Sequence, residues 1–320
     1  MTLIQSKKSF TLSPTASLVG SRAASADPRQ VLEAGFENLD IALDLERRTL
    51  WNYMRPSNGL ACFTMDLLGD IRAMQAAIRE LHAQAKQAGD KTLQYVVAAS
   101  HIPGIYNMGG DLALFADKIR NGERAVLDTY AHSCIDLVYA NSTAFGLPLV
   151  TIGLVQGDAL GGGFECALSY DVIIAERSAK LGLPEILFNL FPGMGAYSFL
   201  SRRLDPMRAE KMILSGRIYT AEELFEMGVV DVLAEDGEGH YATQAYIERN
   251  ARTHNEYSAV YAARRRVRPV AEQELRDVVD IWVDAALNLE APDLRKMERL
   301  ATAQAKRVLA TGSASQVAAE

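Results

Sequence analysis

The chain has 320 residues, a mass of 35.0 kDa, 49% apolar and 23% charged residues, and a formal net charge of −7. That is enough for one large domain or two small ones, in the range of an ordinary globular protein, and the acidic balance argues against a general nucleic-acid binder. Three widely spaced cysteines (Cys62, Cys134, Cys166) argue against a disulfide framework and fit a cytoplasmic setting, and no apolar run is long enough to span a bilayer.

Residues 1–30 are rich in Ser, Ala and Thr and read as a mobile or loosely docked tail. Lys7 and Lys8 have no apolar stretch behind them, so no signal peptide is expected. Over residues 38–53, Leu39, Ile41, Leu43 and Leu45 alternate with polar or small residues. Period two predicts a strand with one buried face, followed by a turn over 52–59. Leu67, Leu68, Ile71, Met74, Ile78 and Leu81 predict a helix over 67–88. Residues 93–98 predict a short strand. Residues 101–112 carry three glycines and a proline and predict a loop. A helix over 130–145 precedes a continuous apolar run at 149–155, the pattern of a buried strand. A loop at 157–163, a helix from 164 and a strand at 172–175 follow.

Repeated β-α units predict an α/β layered fold with ligands gathered at the loops. After Asp236 the pattern turns helical: Leu275, Val278, Val279, Trp282, Ala286 and Leu289 form one stripe, and a further helix covers 292–309. The last residues, 311–320, are small and polar and read as frayed. The division expected is a tail (1–30), a core (31–235) and a helical region (236–320) that packs on its own core or on a neighbouring subunit.

Two glutamates stand out. Glu165 lies in Gly161-Gly162-Gly163-Phe164-Glu165, and Glu185 in Leu181-Gly182-Leu183-Pro184-Glu185-Ile186. A carboxylate among apolar residues is costly unless it is paired, hydrogen-bonded or used. Glycines before a helix offer free N–H groups that can hold a developing negative charge. Acid/base carboxylates beside such a turn suit the chemistry of a thioester enolate. The ordinary fate of a buried Glu is to pair with an Arg, and the neighbouring glycines weigh against it here.

Five stretches in order resemble the crotonase (enoyl-CoA hydratase/isomerase) superfamily: Tyr106-Asn-Met-Gly-Gly-Asp-Leu112; the run 149–155 leading into Gly157 to Glu165; Leu181 to Ile186; Phe191-Pro-Gly-Met-Gly195; and Leu214-Ser-Gly-Arg217 through Asp231. Within it, the segment 100–112, the presence of both glutamates and the long helical tail with Trp282 resemble diffusible signal factor synthases, which make cis-2-unsaturated fatty acid signals. The resemblance implies an α/β crotonase-like ββα spiral core with a C-terminal helical region, assembled as trimers or hexamers. It implies an acyl-thioester substrate carried on CoA or acyl carrier protein, with no further cofactor and no metal. It also implies a sensor-kinase receiver domain as a partner.

By motif position, the resemblance implies an oxyanion hole from the backbone N–H groups of Met108, three residues before Asp111, and Gly162, three before Glu165. Gly109, Gly110 and Gly161 would shape the substrate site. Leu160, Phe164, Leu187, Phe188 and Trp282 are expected channel walls, with Trp282 foremost. Glu185 is expected to take the α-proton and Glu165 to protonate the 3-oxygen; the reverse is open on sequence. Asp111 reads as a helix N-cap, Cys166 as a small core residue and His101 as loop-stabilising. The basic run Arg264-Arg265-Arg266 with Arg268 reads as a solvated helix face or a phosphate contact.

Overall fold

The computed structural model describes residues 27–317, with backbone alone from 311 onward. The expected tail lies mostly outside the described residues. Where it enters them, the chain is a docked helix, Pro28–Ala34, with Leu32 buried. Asp27 caps that helix and Pro28 occupies its first turn, a favourable combination.

Among the described residues ten strands follow in chain order: β1 (Leu39–Asp44), β2 (Thr49–Met54), β3 (Tyr95–Ser100), β4 (Ile105–Asn107), β5 (Val150–Val155), β6 (Asp158–Leu160), β7 (Val172–Glu176), β8 (Lys180–Gly182), β9 (Ile218–Thr220) and β10 (Val232–Ala234). They form two sheets. The larger has the order β1-β2-β3-β5-β7-β10, and the smaller β4-β6-β8-β9. Within the larger sheet only β1 and β2 are antiparallel. Strand pairs β3/β4, β5/β6 and β7/β8 each place one strand in either sheet before the chain moves on. This is the ββα winding that the resemblance implied.

The single strand expected over 38–53 is a hairpin. Residues 45–48 leave the ladder, Leu45 is 72% exposed, and Arg48 takes a left-handed φ of 54°. Alternation carried the strand reading across a turn of Glu46, Arg47 and Arg48, whose consecutive charges are the better signal. The loops expected at 101–112 and 157–163 contain β4 and β6, too short to show a period. Every residue of β5 is buried, as its apolar run predicts for a central parallel strand.

One face of the large sheet packs on the helices Met65–Ala88 and Arg124–Ser142; the other face receives Tyr246 and Ile247. Thr64 caps the first of these helices and Gly89 ends it in a left-handed turn. Beyond β10 the described chain is helical: Gly239–Asn250, His254–Val267, Glu272–Leu287 and Ala291–Val317. The last helix continues through residues expected to fray. Among the described residues no helix is long and apolar enough to cross a membrane.

The basic run is neither fully solvated nor near the glutamates. Arg264 and Arg265 both pair with Asp171, which is 3% exposed and precedes β7. Asp171 also accepts bonds from the backbone N–H and hydroxyl of Thr151. The ion pairs tie the helical region to the core.

Candidate active site

Glu165 sits on the short helix Gly162–Leu168, all of whose residues are buried. Gly161 precedes it at φ 53°, ψ −127°, a conformation that suits glycine. Glu165 is 2% exposed, and its Oε1 accepts the Ala196 N–H at 2.9 Å, at the start of helix Ala196–Arg203. Glu185 is 9% exposed and lies in a single 3-10 turn, Pro184–Phe188. Its Oε2 is buried and has no hydrogen-bond partner among the described residues.

Both glutamates line one cavity of about 70 Å³. Gly110, Gly162 and Gly193 share its wall with Phe63, Phe115 and Trp282. Two aromatic rings lie directly on two glycines. A Cβ on Gly110 would stand 2.5 Å from the Phe115 ring, and one on Gly193 2.4 Å from Trp282 Cγ. The loops themselves interlock: a Cβ on Gly109 would lie 2.9 Å from Gly162 N, and one on Gly161 2.5 Å from Glu185 Oε1. Glycine is required at these positions by close approach.

Burial pushes the Glu165 carboxyl up to about 7, against N–H groups of Ala196 and Met194 that favour its charged form. Burial raises Glu185 well above the usual carboxylate range, and the Glu165 charge raises it further. Both carboxyls are thus pushed towards their neutral forms, and the charge of Glu165 disfavours ionisation of Glu185.

Met108 does not fill the expected role. Its N–H donates to the Ala61 carbonyl at 2.7 Å, and its side chain packs with Ala61, Ile102 and Ile105 outside the cavity. The residue of this loop in the cavity wall is Gly110, directly before Asp111. Tyr130 steadies this loop: its hydroxyl donates to Phe63 O at 2.5 Å and accepts from Asp111 N at 3.2 Å. Gly162 opens its helix, where an N–H has no acceptor within the helix.

Of the expected walls, Phe188 and Trp282 line the cavity; Leu160, Phe164 and Leu187 do not. Phe164 precedes Glu165 by one residue and so points about 100° away around the helix, into the core. Leu187 is 54% exposed. Leu160 packs against the cluster around Met108. Walls missed in the sequence include Tyr130, Cys134, Leu190, Met194 and Val279. Val279 stands three residues before Trp282 on the same helical stripe, which was the available signal.

The bland readings hold for three residues. Asp111 caps helix Leu112–Arg120 through Leu114 N. Cys166 is buried in the core, its thiol pushed up to about 12 by burial. His101 stacks on Tyr53 at 4.3 Å and faces Asp40, away from the glutamates. Among the described residues no His, Cys, Asp and Glu group could hold a metal.

The family model described as enoyl-CoA hydratase/isomerase matches residues 60–278. The chain belongs to this family. Similar curated proteins include a probable mitochondrial enoyl-CoA hydratase 2 of Arabidopsis thaliana, 31% identical over 53% of this chain and 52% of that one. Another is the mitochondrial methylglutaconyl-CoA hydratase of Mus musculus, 34% identical over 48% of this chain and 47% of that one. The chain thus spans about half the length of the curated relatives it matches. Among solved structures, an enoyl-CoA hydratase of Mycobacterium avium subsp. paratuberculosis has a TM-score of 0.65 at 20% identity, covering 85% of this chain and 97% of that one. DspI of Pseudomonas aeruginosa has a TM-score of 0.59 at 24% identity, covering 82% and 98%. These structural likenesses are of fold.

Proposed function

We propose that this member of the enoyl-CoA hydratase/isomerase family dehydrates a 3-hydroxyacyl thioester and hydrolyses the product, releasing a cis-2-unsaturated fatty acid signal. The observation that carries the reading is two buried carboxyls, both pushed up by burial, on one apolar cavity beside the glycines of two loops. The substrate brings its own carrier, CoA or acyl carrier protein, and no other cofactor takes part.

The thioester oxygen is placed between the N–H groups of Gly110 and Gly162, whose preorganised dipoles stabilise the enolate by several kcal/mol. A carboxylate takes the proton from Cα. The C3–O bond breaks, and the second carboxyl supplies a proton so that water leaves. The Ala196 N–H favours charge on Glu165, whereas Glu185 Oε2 has no donor. The charged form is therefore better held on Glu165 and the neutral form on Glu185, making Glu165 the base and Glu185 the acid. This reverses the assignment expected from sequence. For hydrolysis, a carboxylate activates water against the same polarised carbonyl.

Exchange of the α-proton with deuterated water tests the roles. Glu165→Gln is expected to lose exchange and Glu185→Gln to retain it while losing dehydration. If both variants release product at the wild-type rate, the scheme is wrong. Mass spectrometry of acids secreted by a host that lacks such signals tests the product.

A second reading is conventional hydration of enoyl-CoA. It is favoured by the small cavity, which is well below the roughly 300–1,000 Å³ of common ligand pockets. Reversible hydration without free acid identifies it. The sensor-kinase receiver domain implied by the resemblance belongs to the first reading, and pull-down with a doubly Gln-substituted protein separates binding from catalysis.

A further inference from the structure

A cleft of about 470 Å³ opens away from the glutamates, at the amino ends of β7 and β10. Two helices show the separation. Helix 162–168 puts Gly162 in the catalytic cavity and Leu168 in the cleft; helix 124–142 puts Cys134 in the first and Ser142 in the second. Five arginines stand in its wall: Arg202, Arg203, Arg264, Arg265 and Arg268. They come from three places in the sequence, the end of helix 196–203, the end of helix 254–267 and the residue just beyond it.

Among the described residues three carboxylates face these five cations. Asp171 holds Arg264 and Arg265, Asp231 holds Arg203 at 3.2 Å, and Glu274 holds Arg202 at 2.8 Å. Among the described residues two positive charges are left over, in a chain whose net charge is −7. Arg268 has a backbone carbonyl, that of Arg202, as its hydrogen-bond partner at 2.8 Å. The Arg265 Nε is buried with no acceptor among the described residues. Apolar surface from Leu168, Phe199 and Val270 completes the wall.

We propose that this cleft binds a small phosphate-bearing anion, at a site distinct from the catalytic cavity. A planar guanidinium offers paired N–H donors that match phosphate oxygens. The excess of two charges matches a phosphate monoester dianion. The cleft volume falls in the range of small-molecule sites. Carboxylates already bound to the floor arginines hold them in place, which leaves Arg268 and the rim as the variable contacts. The inference does not depend on which reaction the glutamates perform.

Calorimetric titration of the full chain with inorganic phosphate, pyrophosphate and ADP tests it. At least one is expected to bind at millimolar concentration or tighter. Arg268→Ala and Arg268→Gln are expected to weaken that binding by about tenfold or more, the worth of one charge-assisted hydrogen bond. Arg266→Ala removes the same charge from an exposed residue outside the cleft and is expected to leave binding unchanged. ADP binding more tightly than pyrophosphate assigns a phosphorylated metabolite; equal binding assigns the free anion. The proposal is overturned if none of the three binds. It is equally overturned if Arg266→Ala weakens binding as much as the Arg268 variants, which would mark diffuse charge attraction.

Discussion

Replacing Glu165 by Gln separates what the site does from what it takes from stability. Burial raises this carboxyl from 4.5 to about 7. Each pKa unit corresponds to about 1.4 kcal/mol between the folded and unfolded states, so the rise corresponds to about 3 kcal/mol. The sign follows from which form the fold prefers. A raised carboxyl is held neutral, so its contribution is fully present below 4.5 and is lost as pH climbs through about 7. Gln keeps an oxygen for the Ala196 N–H and never ionises. Glu165→Gln is therefore expected to match the wild type in stability at pH 4.5 and to exceed it by about 3 kcal/mol above pH 7. Turnover should fall by about 10²- to 10⁴-fold at the same time. Urea unfolding of both proteins across this pH window measures the difference directly. Parallel stability curves, or a variant that is weaker above pH 7, would refute the claim that a charge is buried here against the preference of the fold.

Other perturbations give equally direct readouts. Gly161→Ala would set a Cβ 2.5 Å from Glu185 Oε1 and is expected to lower turnover by about 10²-fold by displacing that carboxyl. Gly122→Ala, at φ 65° but with open space around it, should leave turnover intact. Met108→Ala should change turnover little, since the Met108 side chain packs with Ala61, Ile102 and Ile105 outside the cavity; a loss comparable to that of Glu165→Gln would place that side chain in the site. Trp282→Ala removes a ring stacked edge-on against Phe115 and is expected to cost about 3–5 kcal/mol in thermal or urea unfolding. The same variant should shift preference towards longer acyl thioesters in a chain-length series. Asp171→Asn leaves two arginines without their carboxylate and is expected to cost about 3 kcal/mol, read as an earlier urea midpoint.

What the sequence made legible follows from how each feature is encoded. Glu165 and Glu185 were readable because a carboxyl is out of place in apolar surroundings. β5 was readable because a strand buried on both faces is almost wholly apolar; its one hydroxyl, on Thr151, is bonded to Asp171. The turn at 45–48 was passed over because the alternation of Leu39, Ile41 and Leu43 runs on through Leu45, which is apolar but exposed. β4 and β6, three residues each, are shorter than any period they could display. Phe115, Tyr130 and Cys134 reach the cavity only through the packing of two helices that are distant from the glutamates in sequence. No local pattern marks them apart from other core positions.

The Met108 and Gly110 exchange shows a different limit. An N–H group is present at nearly every residue, so side-chain identity says nothing about which amide is free. What decides it is the partner of each amide. Ala61 O takes Met108 N and Asn107 Oδ1 takes Gly109 N at 2.8 Å, while Tyr130 takes Asp111 N. Gly110 is the amide left over in that run, and it is the one in the cavity wall. The missing side chain at Gly110 serves Phe115, whose ring occupies the space a Cβ would need. One glycine thus supplies both the donor and the seat for the ring that narrows the pocket. Any residue substituted there alters both together, so chain-length preference and enolate stabilisation are expected to change in step at this position and to separate at Trp282.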